Sequence, residues 1–226
     1  MQKLLLLTFL ASAAFFTGQA QTGQPLQQDD YRQADDVKPA TSKFGIKVGY
    51  NVARITGSTP NFSPDSKNGF MAAVFFSPSK NSGLGYRSEL VFSRQGFGFD
   101  ENGKSNSVQS DYIYMPHFTT FTIKNFIQFQ VGSQIGYLLK SSKQTEAESS
   151  SDDITAFTKR IDYGAAFGLE LYPLKGLVLG GRYNMSFGNT YKQMDSSFPM
   201  PNPLPFTPAD VKGKNAVINL FVGYRL

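Results

Sequence analysis

"FIQFQVGSQIGYLLK", residues 126–140, decides the fold. Ile127, Phe129, Val131, Ile135, Tyr137 and Leu139 alternate with Gln128, Gln130, Gly132, Gln134 and Gly136, a period of two held from 127 to 139. Successive strand side chains point to opposite faces, whereas a helix turning about 100° per residue would scatter the three glutamines round its surface. The stretch is therefore a strand with one greasy face and one face of glutamine and glycine.

The same division recurs along the chain. Phe44, Ile46, Val48, Tyr50 and Val52 alternate with Gly45, Lys47, Gly49, Asn51 and Ala53. Ile161 to Leu171, Leu177 to Phe187 and Ala216 to Leu226 repeat it, each with large apolar residues on the odd or even set and Gly, Ala, Asn or charged residues on the other. Three stretches are less regular. Asn68 to Phe76 is apolar on both faces, with Gly69, Met71 and Ala73 expected inward; Gly85 to Phe97 sets Tyr86, Leu90 and Phe92 against Arg87, Glu89, Ser93 and Gln95; Tyr112 to Phe121 contains Pro116. Proline has no N–H for a ladder, so an edge or bulge is expected there. The total is eight strands.

Length and composition decide which face is buried. Most of these strands run nine to fourteen residues, longer than the five or six usual in soluble sheets and enough for the ~9–11 that a tilted strand needs to cross a bilayer. Gly, Gln, Asn and Ser bury little apolar area, so the small, polar face is a poor soluble core. The greasy face is expected to point outward into lipid, with glutamine and glycine lining a narrow interior. The fold class is all-β: an eight-stranded antiparallel up-and-down transmembrane β-barrel. A lipocalin-like carrier is disfavoured, since its apolar face would line the barrel.

The connections agree. Segments 56–67, 98–111, 140–159 and 190–213 are long, while 77–84, 122–125 and 173–176 are short. Long extracellular loops and tight periplasmic turns alternate in this way in outer-membrane barrels. Phe44, Tyr86, Phe121 and Tyr224 suit a periplasmic aromatic girdle, and Tyr137, Tyr163 and Phe187 an outer one.

At the start, Lys3 precedes an apolar run from Leu4 to Phe16 and a small-residue site ending at Ala20, the pattern of a secretory signal peptide over 1–20. Residues 21–43 are polar and aperiodic and read as a flexible periplasmic arm, leaving 44–226 for the barrel. The chain has no cysteine, one histidine and a formal charge of +5 with its basic residues dispersed. Nucleic acid is therefore not expected as a partner, and zinc or cysteine chemistry is excluded. No cofactor is expected.

"FGIKVGYN", "NGFMAAVFF", "YRSELVFSRQGF", "YIYMP", "FQVGSQIGYLL", "YGAAFGLELYPLKGLVLGGRYNMSFGN" and the closing "INLFVGYRL" together resemble the PorT-like outer-membrane β-barrel family of Bacteroidota, barrels of the OmpA-like eight-stranded type. The resemblance runs from about Phe44 to Leu226. It departs at Leu226, where such barrels usually end in Phe, and at His117 and Thr119, polar residues in a lipid-facing half-strand. It implies an outer-membrane location and an eight-stranded barrel in contact with lipid and lipopolysaccharide. Some members are tied to type IX secretion, which admits an accessory role in secretion with an outer-membrane or periplasmic protein partner.

The inward parity gathers Lys47, Arg87, Glu89, Asp162, Glu170, Arg182 and Arg225. Charges held away from water must pair, so a salt-bridged plug is expected in preference to a gated ion path. Glu89 and Glu170 are the obvious carboxylate pair for acid–base chemistry, but arginines share their half of the barrel, so no enzyme is expected. His117 is expected at a rim or as interior filler. A charge at outward Val131 or Phe167 should be costly, and the same charge at inward Gln130 mild. In the loop 190–213, Phe198, Met200, Leu204 and Phe206 stand among five prolines and form a candidate contact surface.

Overall fold

The computed structural model describes residues 42–57, 64–78, 83–101, 104–145, 148–192 and 212–226. The signal segment and most of the arm, residues 1–41, lie outside them, as does the proline-rich segment 193–211. Nine strands follow in order: β1 (Ser42–Thr56), β2 (Asp65–Pro78), β3 (Gly83–Glu101), β4 (Lys104–Ile123), β5 (Ile127–Thr145), β6 (Glu148–Asp153), β7 (Ile161–Leu171), β8 (Leu177–Ser186) and β9 (Lys214–Arg225). All pairings are antiparallel. Eight strands close a ring, β1-β2-β3-β4-β5-β7-β8-β9, with β9 returning to β1. The ninth, β6, is the addition: it pairs only with the outer end of β5.

The ring is staggered. Starting at Phe44 and stepping through Phe76, Ser88, His117, Ser133, Ala165, Met185 and Ala216, the paired residues return to β1 at Arg54, ten residues beyond the start. A stagger of this size in eight strands corresponds to a strand tilt of roughly 35–45° and an interior just wide enough for side chains.

Exposure follows the expected alternation. From 128 to 139 the inward Gln128, Gln130, Gln134, Gly136 and Leu138 are buried, while Phe129, Val131, Ile135, Tyr137 and Leu139 are exposed. The glycines have a steric reason. A Cβ at Gly136 would stand 2.3 Å from the ring of Tyr114, so only glycine leaves that inward ring its place. At the periplasmic end the turns are tight: Lys124 and Asn125 both take positive φ between β4 and β5, and Gly176 does so between β7 and β8.

Two long connections differ from expectation. Segments 98–111 and 140–159 are largely strand, because β3, β4 and β5 run 19, 20 and 19 residues. About eight or nine residues of each therefore exceed what a bilayer crossing requires. β6 extends the same sheet, and the chain then turns inward at Ile154 and Phe157. Pro116 is also not at an edge: β4 lies inside the ring, Pro116 faces Gln134, and the β3 ladder lapses only between Tyr114 and His117. The bulge in β4–β5 falls instead between Asp111 and Tyr112, where the strands leave the hydrocarbon zone.

Candidate functional site

The lumen is filled in three layers. At its centre five charged side chains from β1, β3, β7 and β8 converge. The Lys47 ammonium donates to Glu89 Oε1 at 2.5 Å and to Glu170 Oε1 at 2.6 Å. Arg87 donates to Glu170 Oε2 at 2.5 Å and to the Tyr172 hydroxyl at 2.9 Å. Arg182 holds both oxygens of Glu89, at 2.9 and 3.0 Å, and reaches Gln130 Oε1 at 3.1 Å. Tyr172 donates to Glu170 Oε2 at 2.7 Å, and Gln130 and Thr122 tie Gln128 into the same network. All five charged side chains are essentially inaccessible to solvent.

Three cations thus share two carboxylates, and aromatic rings take up the remaining charge. Lys47 lies 4.9 Å from the Phe75 ring and 4.7 Å from Phe221; Arg87 stands 4.5 Å from Phe75, and Arg182 stands 4.3 Å from Phe118. A desolvated cation over a ring face gains about 2 kcal/mol or more. The Arg87 and Arg182 Nε atoms are buried without a partner among the described residues.

Of the seven residues expected in the polar network, five form this layer and two do not. Asp162 sits further toward the outside, where its carboxylate accepts from Tyr114 at 2.6 Å, Ser186 at 2.7 Å and Asn215 at 3.4 Å. It is satisfied by neutral donors rather than by a cation. Arg225 lies at the periplasmic rim, 4.7 Å from the Tyr172 ring, and forms no ion pair among the described residues. It is half-exposed, so it has less need of a carboxylate.

Above the ions lies an amide layer: Asn219 donates to Asn51 at 2.5 Å, Asn51 to Ser93 at 3.0 Å, and Gln95 to Tyr114 at 3.0 Å. The cavity bordered by Ser93, Gln95, Tyr114, Arg182 and Asn219 measures about 20 Å³, room for a single water. The third layer closes the outer mouth with Ile55, Phe97, Phe99, Val108, Ile154, Phe157 and Tyr191, all buried. Backbone bonds from Lys159 to Thr190, and from Lys192 to Phe157, tie the two segments that form it.

Several of these residues escape a reading by parity alone. Phe75, Phe118, Tyr112, Tyr114 and Phe221 are buried inward although large residues were expected outside. The signal was present in β2, apolar on both faces, and in the even positions of β4. Gln130 bonds both Gln128 and Arg182, so the sign of a charge placed there matters: a cation would face another, and an anion would meet a guanidinium. His117 is neither at the rim nor inside, for it faces out with its Nδ1 2.5 Å from the Tyr86 hydroxyl. Phe198, Met200, Leu204 and Phe206 lie outside the described residues. Among the described residues no group of three His, Cys, Asp or Glu side chains stands at metal-binding spacing, and no helix is long and apolar enough to cross a membrane.

Residues 19–192 match the family described as outer membrane protein beta-barrel domain. The chain belongs to that family. Its closed ring, lipid-facing belt and filled lumen are those of an outer-membrane β-barrel. Among solved structures, Ail of Yersinia pestis is 16% identical with a TM-score of 0.46, covering 82% of this chain and 99% of that one. Neisserial surface protein A is 13% identical with a TM-score of 0.47, covering 80% and 96%. A major outer membrane protein from Thermus thermophilus is 12% identical with a TM-score of 0.44, covering 82% and 100%. No curated protein matches the sequence.

Proposed function

We propose that this outer-membrane barrel is closed and not a porin, and that it acts as a structural or interaction component through the parts that project from the membrane. The observation that carries this reading is the three-layered filling of the lumen. An ion would have to part Lys47, Arg87 and Arg182 from Glu89 and Glu170, then pass an amide layer with space for about one water and an apolar mouth. Breaking a buried pair costs ~3–5 kcal/mol, so spontaneous opening is rare. The long β3–β5 extension, with β6 at its side, supplies a surface beyond the bilayer.

The chain is not an enzyme in this reading, since both central carboxylates are committed to cations on both oxygens. Its constant partners are lipid and, on the outer leaflet, lipopolysaccharide. The sequence likeness to PorT-like barrels of Bacteroidota favours a second reading, an accessory subunit of a type IX-like secretion assembly, with residues 21–43 as its periplasmic contact. Purified protein in planar bilayers is the test of closure: the expected result is no steady conductance, and a large, persistent ion current would overturn it. Gentle extraction and identification of co-purifying proteins separates the two readings, since a secretion subunit brings secretion components with it.

A further inference from the structure

We propose that the lipid-facing surface of β3, β4 and β5 is a self-association face, where two copies of this chain meet within the membrane. Elsewhere the outward belt is apolar: Ile46 and Val48 on β1, Phe167 and Leu169 on β7, Leu220 and Val222 on β9. On β3–β5 it is not. Ser88 pairs with His117 and His117 with Ser133, so three polar side chains form one row across three strands, with Thr119 beside them.

This row lies at mid-depth. His117 is six residues from Ile123 at the periplasmic turn and six from Asp111, whose ion pair with Arg94 at 2.8 Å marks the outer boundary. Six residues of tilted strand rise roughly 14 Å, about half of the ~25 Å apolar band of such barrels. His117 stacks on Tyr86 with ring centroids 6.0 Å apart and bonds its hydroxyl through Nδ1, and its Nε2 has no partner among the described residues. The hydroxyls of Ser88, Thr119 and Ser133 have no hydrogen-bond partner among the described residues. An unsatisfied polar group in hydrocarbon costs several kcal/mol, and four such groups are gathered here.

The chemistry selects the occupant. An acyl chain offers neither donor nor acceptor at this depth. A second copy offers a matching set, because each hydroxyl both donates and accepts and the imidazole Nε2 takes either role according to its tautomer, so the patch is complementary to itself as a two-fold interface requires. Small residues at the contact also let the two walls approach, as in membrane packing generally. Beside the row, a depression bordered by Ile46, Val74, Ser88, Leu90 and Met115 gives a protruding side chain of the second copy a seat. The inference rests on the outward face of the barrel and not on the closed lumen, so conductance and association fail separately.

The chain has no cysteine, which makes single thiols clean probes. S133C in native outer membranes is expected to form a disulfide-linked dimer on mild oxidation. L220C, at similar depth on β9 across the ring, is expected to form at least tenfold less. In vesicles of the purified protein, energy transfer between labelled wild-type copies should rise with protein density. The combined variant S88A, H117L, T119V and S133A, folded by its heat-dependent gel shift, should weaken that association at least tenfold. Equal cross-linking at the two positions, or association unchanged in the folded variant, would overturn the proposal. So would a wild-type monomer at every density whose S133C form is captured in cells by a different protein.

Discussion

Replacing Glu170 by Gln is expected to cost ~3–5 kcal/mol, while replacing Lys47 by Met should cost under ~2 kcal/mol, although each side chain sits in the same network. The difference follows from charge count. The layer holds three cations and two carboxylates. Without Glu170, Glu89 alone must balance Lys47, Arg87 and Arg182, and Arg87 lies 4.0 Å from it; an uncompensated buried charge of this kind carries the full penalty. Without Lys47, Arg87 still holds Glu170 and Arg182 still holds both oxygens of Glu89, so each carboxylate keeps one guanidinium. What is lost is two charge-assisted hydrogen bonds, offset by the relief of a buried ammonium. With no tryptophan in the chain, the assay is urea unfolding in lipid vesicles followed by far-UV circular dichroism and the heat-dependent gel shift. K47M as damaging as E170Q, or more so, would refute the reasoning.

Three further outcomes are expected. Lys at outward Val131 should cost ~2–4 kcal/mol near the midplane, and at inward Gln130 Lys should also be harmful because Arg182 is 3.1 Å away, whereas Glu there should be close to neutral; unfolding in vesicles ranks the three. F221A should cost ~3–5 kcal/mol by leaving a cavity against Lys47, measured in the same way. Serine at both Ile154 and Phe157 should loosen the outer mouth, read as faster proteolysis of its segments, yet leave bilayers silent because the ion layer beneath is untouched.

Parity carried most of the fold into view. Thirteen alternating residues gave the face assignment of β5, and seven similar stretches gave the ring, because a strand with a polar lumen on one side and lipid on the other leaves a two-residue period. The same logic drew Lys47, Arg87, Glu89, Glu170 and Arg182 together, since each sits at an inward position of a crossing strand. Parity gives no depth, and so it grouped Asp162 and Arg225 with charges lying elsewhere along the axis. It also gives no packing, so the inward rings of Phe75, Phe118 and Phe221 were missed: filling a lumen around long cations needs large flat groups as well as glutamine. The extension of β3–β5 was hidden because outside the bilayer both faces of a strand meet water or loops, and the alternation weakens there.

Single nitroxide labels placed one at a time from residue 127 to 139 of the otherwise cysteine-free chain, in lipid vesicles, test the face assignment most directly. With Gly132 and Gly136 left unlabelled because neither has room for a side chain, oxygen, which concentrates in hydrocarbon, should broaden the spectra at 129, 131, 135, 137 and 139, and leave 128, 130 and 134 immobile and protected. Protection at the odd positions with access at the even ones, or no alternation at all, would contradict a barrel whose glutamines fill the lumen and whose greasy face meets lipid.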